Sequence, residues 1–254
     1  MKKYLISLLL PLSTFAQIQV NDALSKIYQL PANGQIVGKI KLKNAGKKPE
    51  TFVSSKSEII FECGFYGAFT DVKTHDRSLN KWLEFDVDEQ TLSPNQEYDL
   101  VFRINIPDDA ASGTYWSAVM IEYGDPYKAT QGIAVEQKPR YAVQIIVNKG
   151  TIEAPKLTYK QVRIISKSKN SKTVMVELEN TGFYSVYLKT QLELYNENGT
   201  KIHTIKGENK NIYPNRCNIF NIEVENLASG KYDGIILADT GKKIFGSNIT
   251  LKID

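Results

Sequence analysis

Two histidines, two cysteines and a few neighbouring acids are the residues from which this chain could build chemistry. His75 and His203 share no local motif. HxH, HExxH and CxxC are all absent, so the spacing supports no zinc site. Neither GxSxG nor a phosphate-cradling glycine loop occurs. His75 sits between Asp71 and Asp76 in a polar stretch and reads as an exposed loop histidine. Asp86, Asp88 and Glu89, and the pair Asp108-Asp109, offer the carboxylates that calcium takes, but without EF-hand spacing. Ordinary turn chemistry accounts for both groups. Trp82 and Trp116 lie beside apolar strand runs and read as core or intersheet residues rather than sugar-stacking platforms. The inventory therefore predicts no catalytic residue, no metal and no cofactor. Cys63 and Cys217 fall in different halves of the chain. An oxidising compartment would permit a bridge, which would have to join the halves; two partly buried thiols are the alternative.

The stretch 92–123 shows how such residues would be positioned. Tyr98, Leu100, Phe102, Ile104 and Ile106 share one parity, with Asp99, Arg103 and Asn105 on the other. A period of two turns one set inward and the other to water. Pro107 stops the strand because it cannot donate a ladder hydrogen bond. From Thr114 the next strand is apolar on both parities: Tyr115, Val119 and Ile121 against Trp116, Ala118 and Met120. That pattern predicts a central strand covered on both faces. The block recurs in weaker form at 212–239. Asn44, Pro94, Ala111 and Gly113 have counterparts, in order, in Asn180, Pro214, Ala228 and Gly230. Short alternating strands separated by turn signals, used twice and without any sustained helical period, predict an all-β chain of two tandem Ig-like β-sandwich domains.

The chain has 254 residues, enough for two cores of ordinary size. Lys2 and Lys3, an apolar run from Tyr4 to Leu12, and the small-x-small triplet Thr14-Phe15-Ala16 predict a signal peptide over 1–16, cleaved after Ala16. The expected organisation is then domain 1 over 17–148, a linker over 149–155 and domain 2 over 156–254. Segment 17–148 carries 14 basic and 17 acidic residues, and 149–254 carries 16 and 11. The second half is mildly basic without a run of like charges, which excludes a nucleic-acid footprint. No later segment is long and apolar enough for a transmembrane helix, so an integral membrane protein is not expected.

Arg77-Ser78, Trp82-Leu83, the Leu92-Ser93-Pro94 turn, Ile106-Pro107 and Gly113-Thr114-Tyr115-Trp116-Ser117 resemble a bacterial envelope family of two-Ig-domain proteins. The family includes the periplasmic pilus-chaperone-like (PapD-like) proteins and the WxL-interacting proteins. Asn180-Thr181-Gly182, Ser185-Val186-Tyr187, Tyr213-Pro214 and Arg216 resemble the second domain of the chaperone-like branch. The resemblance implies that the last strand of domain 1 offers alternating apolar residues to an incomplete subunit. Tyr141, Val143, Ile145 and Val147 match that strand, with Lys138 and Arg140 as basic residues at its start. The sequence departs from the family at the N-terminus, where Lys26 is the only basic residue between Gln17 and Pro31. A strand that merely closes a sandwich would show the same alternation. The resulting expectation is a non-enzymatic periplasmic or secreted protein that binds another envelope or surface protein through a sheet edge, as an assembly chaperone or scaffold. A module for peptidoglycan or another envelope glycan is the alternative.

Overall fold

The computed structural model describes residues 17–253 apart from 32–33, 66, 125–137, 169–170 and 197. The leader predicted over 1–16 lies outside the described residues. In chain order the first half contributes β1 (Ile18–Val20), β2 (Ser25–Gln29), β3 (Gln35–Asn44), β4 (Glu50–Ile60), β5 (Ala68–Thr70), β6 (Leu83–Phe85), β7 (Glu89–Leu92), β8 (Glu97–Asn105), β9 (Gly113–Tyr123) and β10 (Arg140–Lys149). The second half contributes β11 (Leu157–Ser168), β12 (Ser171–Asn180), β13 (Val186–Tyr195), β14 (Lys201–Ile212), β15 (Arg216–Glu225), β16 (Gly230–Asp239) and β17 (Ile244–Ile253). Among the described residues there is no helix.

Each half is a sandwich. In the first, a sheet ordered β1-β3-β8-β6 faces one ordered β2-β10-β9-β4-β5, with β7 also paired to β4. Leu100, Phe102 and Ile104 point inward from one sheet, and Tyr115, Val119 and Ile121 meet them from the other. In the second, β11-β12-β15 faces β14-β13-β16-β17. Its core takes Val174, Val176 and Leu178 from β12, Leu188, Leu192 and Leu194 from β13, and Phe220, Ile222 and Val224 from β15. These are the parities that alternation predicted.

The repeated sequence block is a repeated corner. Asn44 is fully buried; its amide donates to the Lys48 and Leu92 carbonyls and its Oδ1 accepts from Gly46. Asn180 does the same with Tyr184, Ile212 and Gly182. Each then accepts, on its own backbone carbonyl, the N–H of an asparagine that follows a proline: Asn95 for Asn44 and Asn215 for Asn180. Asn95 (φ 63°) and Asn215 (φ 55°) are both left-handed, a conformation asparagine tolerates better than most residues. Further along, Tyr115 Oη donates to the Ala111 carbonyl and Tyr232 Oη to that of Ala228, at 2.6 and 2.7 Å.

Strand β2 was hidden in the sequence. Segment 24–31 reads as a connection, yet Ser25–Gln29 pairs in parallel with Gln144–Asn148 of β10. Ile27 points outward and stays exposed, while Lys26 and Tyr28 turn inward. The polarity is inverted relative to a half-buried strand, so alternation gave no signal. Tyr28 meets Phe102 edge to face. Gly38 on β3 lies where any Cβ would run into the Phe102 ring and the Tyr28 hydroxyl.

Phe102 is fully buried and Arg103, its neighbour of opposite parity, is exposed. Phe102→Ala should therefore cost about 3–5 kcal/mol in a urea titration. Arg103→Ala should stay within about 0.5 kcal/mol of the parent. Equal losses would mean that the register of β8 on β3 is wrong.

Candidate functional site

β10 carries the residues the sequence singled out. Along its whole length it pairs antiparallel with β9, and over Gln144–Asn148 its other side is taken by β2. Among the described residues, none pairs with the outer side of Arg140–Val143. Lys138, Pro139 and Arg140 are exposed where this open stretch begins. Arg140 lies 3.9 Å from Glu122 on β9, a loose surface pair. Tyr141 is half-buried and stacks on Tyr123. Val143, Ile145 and Val147 are fully buried and belong to the first domain's own core. The apolar alternation is thus spent inward, and the accessible part of the strand is its backbone edge with its two basic residues. Lys26 of β2 sits in register with Ile145 and is paired with Asp22 at 2.6 Å. That contact holds the Asp22 carboxyl below the usual range.

The opposite face of β10 and β9 meets the second domain. Trp116, Ala118, Met120 and Ile146 form a third core with Ile59 and Tyr213, the last coming from the second half. Tyr213 stacks on Phe61 with ring centroids 4.3 Å apart and its hydroxyl accepts from Gln144 Nε2 at 2.7 Å. Burial leaves that hydroxyl well above the ordinary tyrosine range. Thr114 N donates to the Phe183 carbonyl, Ser185 N to Thr114 Oγ1, and Tyr184 Oη to the Lys149 carbonyl. A disulfide joins Cys63, just beyond β4, to Cys217 on β15. The bridge between the halves is the outcome, and the alternative of two thiols falls. Cys63, Glu177 and Cys217 are the one metal-type grouping of three among the described residues. Their sulfurs bond each other, so they offer no thiolate for coordination.

His75 corrects the sequence reading. It is not an exposed loop residue but 8% exposed, stacked on Trp116 at 4.3 Å between centroids. Its Nε2 is 3.2 Å from Glu58 Oε2. The pair lacks hydrogen-bond geometry, and the other Glu58 oxygen accepts from Ser78 and Thr74. Burial, then the Arg216 cation from the second domain, push the imidazole down to about 4, with the Asp76 carboxylate opposing. A polar stretch holding a single histidine gave no hint of this, because what buries it is a ring on β9. Trp116 is buried as expected, between domains rather than between the sheets of one sandwich, and its Nε1 donates to the Ile59 carbonyl at 2.9 Å. Trp82 packs half-buried at the first core's edge, edge-on to Tyr115. His203 is exposed on β14. Asp86 accepts from Val101 N and Tyr98 Oη. The turn containing Asp108 is held by Lys149 Nζ, which donates to the Pro107, Asp108 and Ala110 carbonyls.

No family model matches the chain, and no curated protein does. Solved structures do. A chain of the chaperone–tip adhesin complex of CFA/I fimbriae biogenesis is 13% identical, with 92% of this chain and 98% of that chain covered at a TM-score of 0.50. The class 5 fimbriae chaperone CfaA is 16% identical over 92% and 98%, at 0.49. The SafA pilin–SafB chaperone complex of Salmonella enterica gives 11% over 94% and 98%, at 0.46. The chain has the two-domain, PapD-like fold of pilus chaperones.

The environment of His75 sets a pH dependence. Unfolded, the ring titrates near 6.5; folded, near 4. Between these values the unfolded chain binds a proton that the folded chain refuses. Stability from this group is full above pH 6.5 and falls as pH drops toward 4, by up to about 3 kcal/mol. Denaturant titrations across that window should show His75→Gln losing less stability on acidification than the parent. Identical slopes would exclude His75 as the source.

Proposed function

We propose that this chain is a non-enzymatic extracytoplasmic chaperone or scaffold that binds an incomplete surface or pilus-type subunit along β10. The observation that carries the reading is the backbone edge at Arg140–Val143, unpaired among the described residues and entered by the exposed cations Lys138 and Arg140. A strand added there would draw its ladder hydrogen bonds from the β10 backbone. Lys138 and Arg140 would meet an acidic group at its end through charge-assisted hydrogen bonds. Tyr141 is half-buried and has surface left to give. Val143, Ile145 and Val147 act from beneath, by holding the edge rigid from within the core. Lys26 contributes little, since Asp22 already neutralises it. The fold supports the reading, and the similar structures include complexes of a chaperone with a tip adhesin and with a pilin. No helix among the described residues is long and apolar enough to cross a membrane. The leader at 1–16 would deliver the protein to the periplasm or the exterior.

The test is a variant with both Lys138→Ala and Arg140→Ala, used as bait in envelope extract. It should recover the parent's partner with affinity weaker by about tenfold, the size of one lost charged hydrogen bond. Its melting temperature should stay at the parent's value, because exposed charges contribute little to stability. Undiminished recovery of the same partner removes this edge as the binding surface.

A further inference from the structure

The bridge is the one covalent tie between the halves apart from the chain itself, and it is placed where exchange chemistry can reach it. Cys63 and Cys217 are both only half-buried. Cys217 lies near the start of β15, an outer strand of its sheet. Cys63 lies in the turn after β4, where Phe65 N donates to the Glu62 carbonyl. That turn is laid directly on the second domain. Gly64 is left-handed (φ 79°), and a Cβ there would come within 2.8 Å of Ile219 Cδ1. Phe61, two residues before the bridge, stacks on Tyr213, four residues before its partner cysteine. Phe61, Gly64, Phe65, Gln144, Lys210 and Tyr213 line part of a cleft of about 220 Å³ between the halves. Neither sulfur belongs to a sandwich core. The bond therefore holds an interface rather than a domain.

We infer that the Cys63–Cys217 bridge is a redox latch, closing the interdomain cleft when oxidised and releasing the 61–65 turn from β15 when a dithiol reductant opens it. The thiolate of the reductant attacks one sulfur and the other leaves as a thiolate, giving a mixed disulfide. The second thiol of the reductant then displaces the first cysteine. The products are two protein thiols and the oxidised reductant, a two-electron exchange. What the latch releases is the Phe61–Tyr213 stack and, beneath it, the covered face around Trp116. The two sandwiches keep their own cores, since both are complete without the bond.

Glu177 tunes the step. Its carboxylate lies within 4.8 Å of both sulfurs, half-buried on β12. A negative charge there repels an incoming thiolate and disfavours the departing one. Glu177 thereby acts as a positioning residue that protects the closed state.

The test uses the full mature chain in dithiothreitol buffers of graded redox poise, following free thiols, tryptophan emission, far-ultraviolet circular dichroism and the radius of gyration by small-angle scattering. Opening should release two thiols without denaturant, red-shift the Trp116 emission and raise the radius of gyration, with the sheet signal unchanged. Cys63→Ser with Cys217→Ser should reproduce the open state in any buffer. Glu177→Gln should speed reduction by about three- to tenfold without altering either end state. The proposal is overturned if the bridge resists reduction until the protein is unfolded. It is equally overturned if the reduced chain or the double-serine variant matches the oxidised parent in emission and radius. These readouts need no partner, so their failure leaves the β10 reading standing.

Discussion

Strand β9 is apolar on both faces, and a sandwich can cover only one of them. Tyr115, Val119 and Ile121 are buried by the facing sheet of their own domain. Trp116, Ala118 and Met120 would form a continuous apolar strip in water, of the kind that marks an interaction surface. Here the strip is closed from outside by Tyr213 and from its own half by Phe61 and His75. The second domain is therefore part of the first one's packing. The hydrogen bonds of Thr114 with Phe183 and Ser185, and the disulfide, lie around this apolar contact.

Much of the architecture was legible because it is periodic. Alternation placed Phe102 and Phe220 in their cores, and the Asn44 and Asn180 corners stood out because an Asn-x-Gly pair recurs at matching places. The unreadable parts are those where burial comes from a distant segment. Nothing near His75 in the chain announces that it lies under Trp116. Nothing in Ser25–Gln29 announces a strand, because Ile27 faces water and Lys26 faces Asp22. The cysteines were visible as one in each half, but the choice between bridge and thiols depends on a Cα separation of 4.9 Å that only the fold supplies.

The candidate edge shows the same division. The run Tyr141, Val143, Ile145, Val147 reads alike for a strand that closes its own sandwich and for one that offers itself to a partner. The structure assigns three of the four to the domain's own core and leaves the backbone of Arg140–Val143 uncovered among the described residues. The pairing of β2 with only Gln144–Asn148 makes the difference, since it leaves the first part of β10 open. A parallel strand of five residues, invisible in the sequence, thus sets the length of the accessible edge.

Lys149 ends that strand and does a second task. Its ammonium is held by three carbonyls of the turn that follows β8, and its own carbonyl accepts the hydroxyl of Tyr184 from the other half. The last residue of β10 is therefore a junction between a turn of one half and a ring of the other. Together with the bridge 154 residues apart in sequence, it gives the two halves more than one mechanical connection. Tension applied to β10 by a bound strand would be shared between the chain at 150–156 and the sulfur link. A single backbone cut in that segment would leave the halves one covalent body.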